Sequence, residues 1–129
     1  MAALYAAYAQ TGMFGASLPV FTGAEKAALA AKLAAVFSLP APNPAAFGTA
    51  WSTGLTAFWL TPPIVVTGVQ SGAVTALAGG ATVSGVLAAI GPSNLAPVAA
   101  SKVASALHTA TLTCIATVAP PPGTLVTIL

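Results

Sequence analysis

Charge is what this chain lacks. From Leu33 to Ser101 there is no Asp, Glu, Lys, Arg or His, and over all 129 residues the side chains of those types are Glu25, Lys26, Lys32, Lys102 and His108. An ordinary soluble domain devotes about a quarter of its residues to charge, against 3% here. A solitary domain uses charge to stay monomeric. A chain that is 57% hydrophobic with a formal net charge of +2 therefore implies an outer surface of Ala, Thr, Ser and Gly covered by other protein. A repeated copy in an assembly suits that composition, because many like charges packed together repel.

Arginine is absent altogether, so the pI near 9.0 rests on three lysines set against one glutamate. Phosphate recognition needs several cationic contacts, and direct nucleic-acid binding is not expected. The lone cysteine, Cys114, permits no intrachain disulfide and reads as a buried small hydrophobe. Catalytic chemistry is equally sparse. Glu25 is occupied by a helix cap, and His108 has no other carboxylate to orient it. A Cys114-His108 couple, six residues apart across a helix-to-strand change, has no thiol-and-base geometry to recommend it. A small cysteine/histidine enzyme is thus a distant alternative. One His, one Cys and one Glu do not complete a metal shell. Gly79, Gly80 and Gly85 lack the spacing of a phosphate loop. No catalytic residue, metal or cofactor is assigned, and the chain is not expected to be an enzyme.

Unbroken apolar runs are missing too. Mean hydropathy is +0.96, yet prolines such as Pro40, Pro42, Pro44, Pro62 and Pro63 and glycines from Gly68 to Gly91 punctuate the uncharged stretch. A membrane-spanning helix needs about 20 predominantly apolar residues, and the best candidate, Ala73 to Ile90, has polar or glycine interruptions and no flanking charge belt. Met1 to Leu18 has no basic region of the secretory kind. A membrane-associated protein, or a lipid-contacting component of a larger particle, is the main alternative to a structural subunit.

What is present is a set of helix and strand signals. Thr22-Gly23-Ala24-Glu25 reads as a capping box, and Leu29, Leu33, Val36 and Phe37 make Glu25 to Ser38 amphipathic, with Lys26 and Lys32 on the wet side. Leu39-Pro40-Ala41-Pro42 ends that helix. Asn43 then caps a second, with Pro44 in its first turn. Along this second helix Phe47, Trp51, Leu55, Phe58 and Trp59 form one stripe, read as the anchors of the core or of an interface. Thr61-Pro62-Pro63 stops it.

Ile64 to Val69 reads as a strand by its β-branched content, and Ala73 to Ala78 as strand or helix. Val83, Val86, Leu87 and Ile90 favour a short helix, followed by a turn at Gly91-Pro92-Ser93-Asn94. Leu95 to Ala110 is a further helix with Lys102 and His108 off its packing side, His108 facing the negative helix end. Thr111 to Val118 is a strand, Pro120 to Gly123 a rigid turn, and Leu125 to Leu129 a terminal apolar segment.

These readings make one α+β domain of two helix-helix-strand halves, 22–69 and 80–119, with helices packed on a small sheet. The shared order suggests an internal pseudo-two-fold duplication, although an alanine-rich composition imitates such similarity.

The alanine-rich helices carrying Trp and Phe, followed by the Pro-bounded strand Thr61-Pro62-Pro63-Ile64-Val65-Val66-Thr67-Gly68, resemble small tailed-bacteriophage virion proteins of the Ala/Gly/Thr-rich kind. The likeness covers Thr22 to Gly80 and contains no diagnostic motif; the second half departs from it by lacking the aromatics. It implies a non-enzymatic accessory part of tail, baseplate or head, assembled in the host cytoplasm, whose partners are itself and neighbouring structural proteins. The expected mechanism is docking through unpaired strand edges and uncharged small-residue faces.

Overall fold

A computed structural model describes residues 1–14, 17–40, 43–60, 64–68, 71–88, 96–119 and 124–128, with the side chains of 37, 81, 96, 118, 119 and 124–128 outside that description. The turns expected at Thr61-Pro62-Pro63, Gly91 to Asn94 and Pro120 to Gly123, together with Ala41, Pro42, Val69, Ile90 and Leu129, lie outside the described residues. In chain order the elements are α1 (Ala2–Ala9), β1 (Gly12–Phe14), β2 (Ser17–Val20), α2 (Ala24–Phe37), α3 (Pro44–Leu60), β3 (Val65–Gly68), β4 (Ser71–Leu77), α4 (Gly80–Ala88), α5 (Ala96–Thr111), β5 (Cys114–Ala119) and β6 (Thr124–Ile128). The fold is α+β.

The helices begin and end for local reasons. Asn43 Oδ1 accepts the N–H of Ala46 at 2.8 Å, so α3 starts with the cap its sequence announces. At α2 only half of the expected capping box is made. The Thr22 and Gly23 N–H groups donate to the Glu25 carboxylate at 3.1 and 2.9 Å, but the Thr22 hydroxyl also donates to Glu25, at 3.0 Å, and accepts only the Ala24 N–H, at a long 3.4 Å, in place of the Glu25 N–H that a full capping box would engage. Gly23 takes the N-cap position at φ +97°, a left-handed conformation that glycine adopts without a Cβ penalty. Lys26 and Lys32 are exposed while Leu29, Leu33 and Val36 are buried, as the spacing predicts.

Every strand pairing is antiparallel, and the order β1-β2-β3-β4-β5-β6 closes on itself because β1 pairs with both β2 and β6. This corrects the expectation of unpaired strand edges: closing a sheet into a barrel removes its edges. The signal was hidden in the first twenty residues. Gly12-Met13-Phe14 is too short to show alternation, and Pro19 in Ser17-Leu18-Pro19-Val20 argues against a strand. Both nevertheless pair, Phe14 with Ser17 and Val126, and Pro19 with Val66.

The uncertain segment Ala73 to Ala78 is strand β4, paired with β5 from Ser71↔Ala119 to Leu77↔Cys114 with a bulge at Thr75. The described part of the membrane candidate, Ala73 to Ala88, is thereby divided between β4 and α4, and among the described residues no helix is long and apolar enough to cross a membrane. Helix-helix-strand order does recur, as α2-α3-β3 and α4-α5-β5, each preceded by a strand. Helix α5 runs through Thr111, so β5 starts at Cys114, three residues later than its sequence suggests.

Side chains from both layers fill the core. Trp51, Leu55, Phe58 and Trp59 of α3 are buried with Leu29 and Leu33 of α2 and Val66, Val74, Cys114 and Ala116 of the barrel; Phe47 is half-buried at the margin. The aromatic rings meet edge-on, Phe58 against Trp59 at 5.4 Å and Phe14 against Trp59 at 6.3 Å, the arrangement their quadrupoles favour. Helices α3 and α4 approach closely at Gly48, where a Cβ would stand 2.5 Å from the backbone oxygen of Ser84.

Candidate functional surfaces

Two surfaces stand out, and the strands build the first. Along β5, Cys114 and Ala116 point inward while Ile115 and Thr117 are exposed, the period-two alternation of a strand with one wet face. Register carries that outer face across the barrel: Val20 opposite Val65, Val65 opposite Ala73, and Ala73 opposite Thr117. Leu18, Val20, Val65 and Ile115 are 52%, 43%, 50% and 37% exposed, and Thr67, Thr75 and Thr117 lie between them. The Thr75 and Thr117 hydroxyls bond to each other at 3.0 Å, so they turn part of their polarity inward. No strand carries an Asp, Glu, Lys, Arg or His. The five side chains of those types all sit on α2 and α5.

The second surface is a groove of about 850 Å³ between α1, α3 and α5. Helix α1 was not read from the sequence, although Ala2, Tyr5, Ala6 and Ala9 recur at helical spacing and are all buried. Tyr5 packs edge-on against Trp51 at 5.7 Å and Phe58 at 5.2 Å, and its hydroxyl joins three helices. Trp59 Nε1–H donates to Tyr5 Oη at 2.9 Å, Tyr5 Oη bonds Thr111 Oγ1 at 2.7 Å, and the Thr111 hydroxyl donates to the Leu107 carbonyl at 2.7 Å. Because Thr111 gives its proton to Leu107, Tyr5 must be the donor to Thr111, and the relay has one direction. Burial pushes the Tyr5 phenol well above its ordinary range, beyond what its bonds to Thr111 and Trp59 recover, so it stays a neutral donor.

At the lip of the groove Tyr8 Oη and His108 Nδ1 are 2.5 Å apart. His108 lies in the last turn of α5, as expected, but its partner is an unforeseen tyrosine. Cys114 is fully buried on the inner side of β5, and burial raises its thiol pKa, so the protonated form prevails. It is not disposed as the nucleophile of a couple with the exposed His108. Among the described residues no three His, Cys, Asp or Glu side chains gather as metal ligands.

The anchors divide between these surroundings. Leu55, Phe58 and Trp59 are wholly in the core, whereas Phe47 and Trp51 also line the groove. Trp51 is 2% exposed, and among the described residues its Nε1–H has no hydrogen-bond partner. No family model, curated protein or solved structure matches this chain.

Proposed function

We propose that the chain is a non-enzymatic structural subunit of a large assembly, a virion component of the tailed-phage kind, which docks onto copies of itself and neighbouring structural proteins through the outer wall of its barrel. The supporting observation is that wall: exposed Leu18, Val20, Val65 and Ile115 with threonines between them and no charge. Contact there keeps the lysines of α2 and α5 away from the interface, while contact through those helices would bring like charges together. Barrel closure shifts the docking mechanism from strand edges to a strand face.

The size of the wall favours repetition over a tight dimer. Strands β2 to β5, about 4.8 Å apart and roughly five residues long, present on the order of 300 Å². A standard interface buries about 800 Å² per partner, so the wall alone is a weak contact that holds when multiplied across an assembly.

Light scattering coupled to size exclusion, without detergent and over a range of concentrations, tests this. Wild-type protein is expected to grow with concentration into a discrete oligomer or ordered polymer, and a Val65→Lys, Ile115→Lys double variant to remain small with an unchanged far-ultraviolet spectrum. A wild-type monomer at every concentration would refute the subunit reading. Recovery only in detergent would transfer the same wall to the lipid-contacting alternative.

A further inference from the structure

We infer that the groove between α1, α3 and α5 is a binding site for a single-chain anionic amphiphile, a hydrocarbon chain ending in a carboxylate or similar head, with the chain in the apolar groove and the head at His108. Leu4, Phe47, Trp51, Val103 and Leu107 give the groove its apolar lining, and its volume of about 850 Å³ falls within the ~300–1,000 Å³ of small-molecule sites.

The lengths of the helices leave this space. Helix α1 has eight residues and α5 sixteen, or about 12 and 24 Å of helix, so α1 cannot wall the neighbouring helices along their whole length. Two contacts hold α1 against α5 beside the groove: Tyr5 Oη bonds Thr111 Oγ1 at 2.7 Å, and Tyr8 Oη bonds His108 Nδ1 at 2.5 Å. The space is therefore formed before anything binds. Leu4, on its rim, is 77% exposed, and Phe47 is only half-buried. A hydrocarbon chain laid there removes apolar surface from water.

The sign of charge selects the head. The one acidic side chain of the sequence, Glu25, borders another depression with Phe21 and Gln10. Burial raises both phenols of the lining, Tyr5 and Tyr8, above their ordinary range, so neither supplies a negative charge. The other ionisable groups on the lining are His108 and the Met1 ammonium, and such groups carry charge only as cations. An anionic head meets opposite charge here and a cationic head meets like charge. Tyr8 takes up Nδ1 of the His108 ring, so the head is met at Nε2. His108 is exposed, which lets the head keep part of its water while the chain is buried and avoids the cost of enclosing an ion.

The test displaces N-phenyl-1-naphthylamine, a neutral dye whose fluorescence rises in apolar surroundings, with decane-1-sulfonate or decyltrimethylammonium below their micelle-forming concentrations. The two competitors share a chain and differ in permanent charge. Measurements are made at about pH 5.5, where a free imidazole is charged, on wild-type, His108→Gln and Ala104→Phe proteins. Ala104 is an exposed residue of α5 on the groove lining, so its enlargement fills the site without entering the core. Wild-type protein is expected to bind the dye saturably and to release it to the sulfonate at lower concentration than to the ammonium. His108→Gln should reduce that preference by roughly twofold to fivefold, the fold-change of one exposed charge contact, and Ala104→Phe should abolish dye binding.

Four results would overturn the inference: no saturable dye binding in wild-type protein, a sulfonate no better than the ammonium, a preference unmoved by His108→Gln, or equal dye binding in Ala104→Phe. The subunit proposal fails separately, since a protein that stays monomeric can still prefer the sulfonate and an oligomer can fail to.

Discussion

Replacing each tryptophan by phenylalanine should separate the two indoles by their hydrogen bonds alone. Trp51 and Trp59 are 2% and 0% exposed and both sit on α3, so trimming the ring leaves comparable voids and the packing losses cancel to first order. Trp59→Phe also deletes the N–H that donates to Tyr5 Oη at 2.9 Å, a net loss of about 1 kcal/mol. Trp51→Phe instead removes a buried donor with no partner among the described residues, relieving a desolvation penalty of about 1–3 kcal/mol. Trp51→Phe should therefore be the more stable variant by roughly 2–4 kcal/mol. With a urea slope of about 1.5 kcal/mol/M for a small domain, the midpoints should differ by more than about 1 M. Far-ultraviolet circular dichroism at a single protein concentration reads both without depending on tryptophan emission. In a Tyr5→Phe background the loss from Trp59→Phe should shrink by about 1 kcal/mol, while that from Trp51→Phe should not move in the same way. Equal midpoints for the two single variants would refute the assignment of Trp51 as the orphan donor.

Gly48→Ala should lower stability by on the order of 1–2 kcal/mol, since an overpacked contact costs about 1–3 kcal/mol and the alanine recovers up to about 1 kcal/mol of helix propensity. The new Cβ meets backbone atoms of Ser84, the nearest at 2.5 Å, and unchanged stability on denaturation would place α3 and α4 farther apart. Glu25 supplies a pH dependence. Burial alone raises its pKa, but hydrogen bonds from its own N–H, from Thr22 and from Gly23 together bring it below the ordinary 4.5. The unfolded chain therefore binds the proton first: the stabilisation is complete above the ordinary carboxylate range and is lost as pH falls through the lower folded value. Glu25→Gln should flatten that acid limb in a pH series of urea melts; an identical limb in both proteins would show that the carboxylate contributes nothing.

Legibility followed the range of the interactions. Asn43-Pro44 declared the start of α3 because a cap is a contact within one helical turn, and the Phe47 to Trp59 stripe showed its buried side because helical periodicity is local. Helix α1 left a usable trace, the spacing of Ala2, Tyr5, Ala6 and Ala9, which the alanine-rich surroundings obscured. The Thr22-Gly23-Ala24-Glu25 signature was only half realised, because Glu25 drew the threonine hydroxyl to itself and left Gly23 at the cap. Strands β1 and β2 were opaque: three and four residues, one of them proline, do not reveal a partner at Val126 or Val66.

By itself, then, the sequence determined the α+β class, the recurring helix-helix-strand order from α2 onward, the aromatic anchors on α3 and the poverty of charge, all of which follow from composition and from periodicities read over a few residues. Tertiary structure alone decided that the sheet closes, because pairing Gly12–Phe14 with Thr124–Ile128 joins segments more than a hundred residues apart. It also decided that one indole is satisfied and the other is not. Trp51 and Trp59 are indistinguishable in an apolar stripe, and both pack near Tyr5, but it is the Trp59 indole that donates to the Tyr5 hydroxyl, on another helix fifty-four positions away.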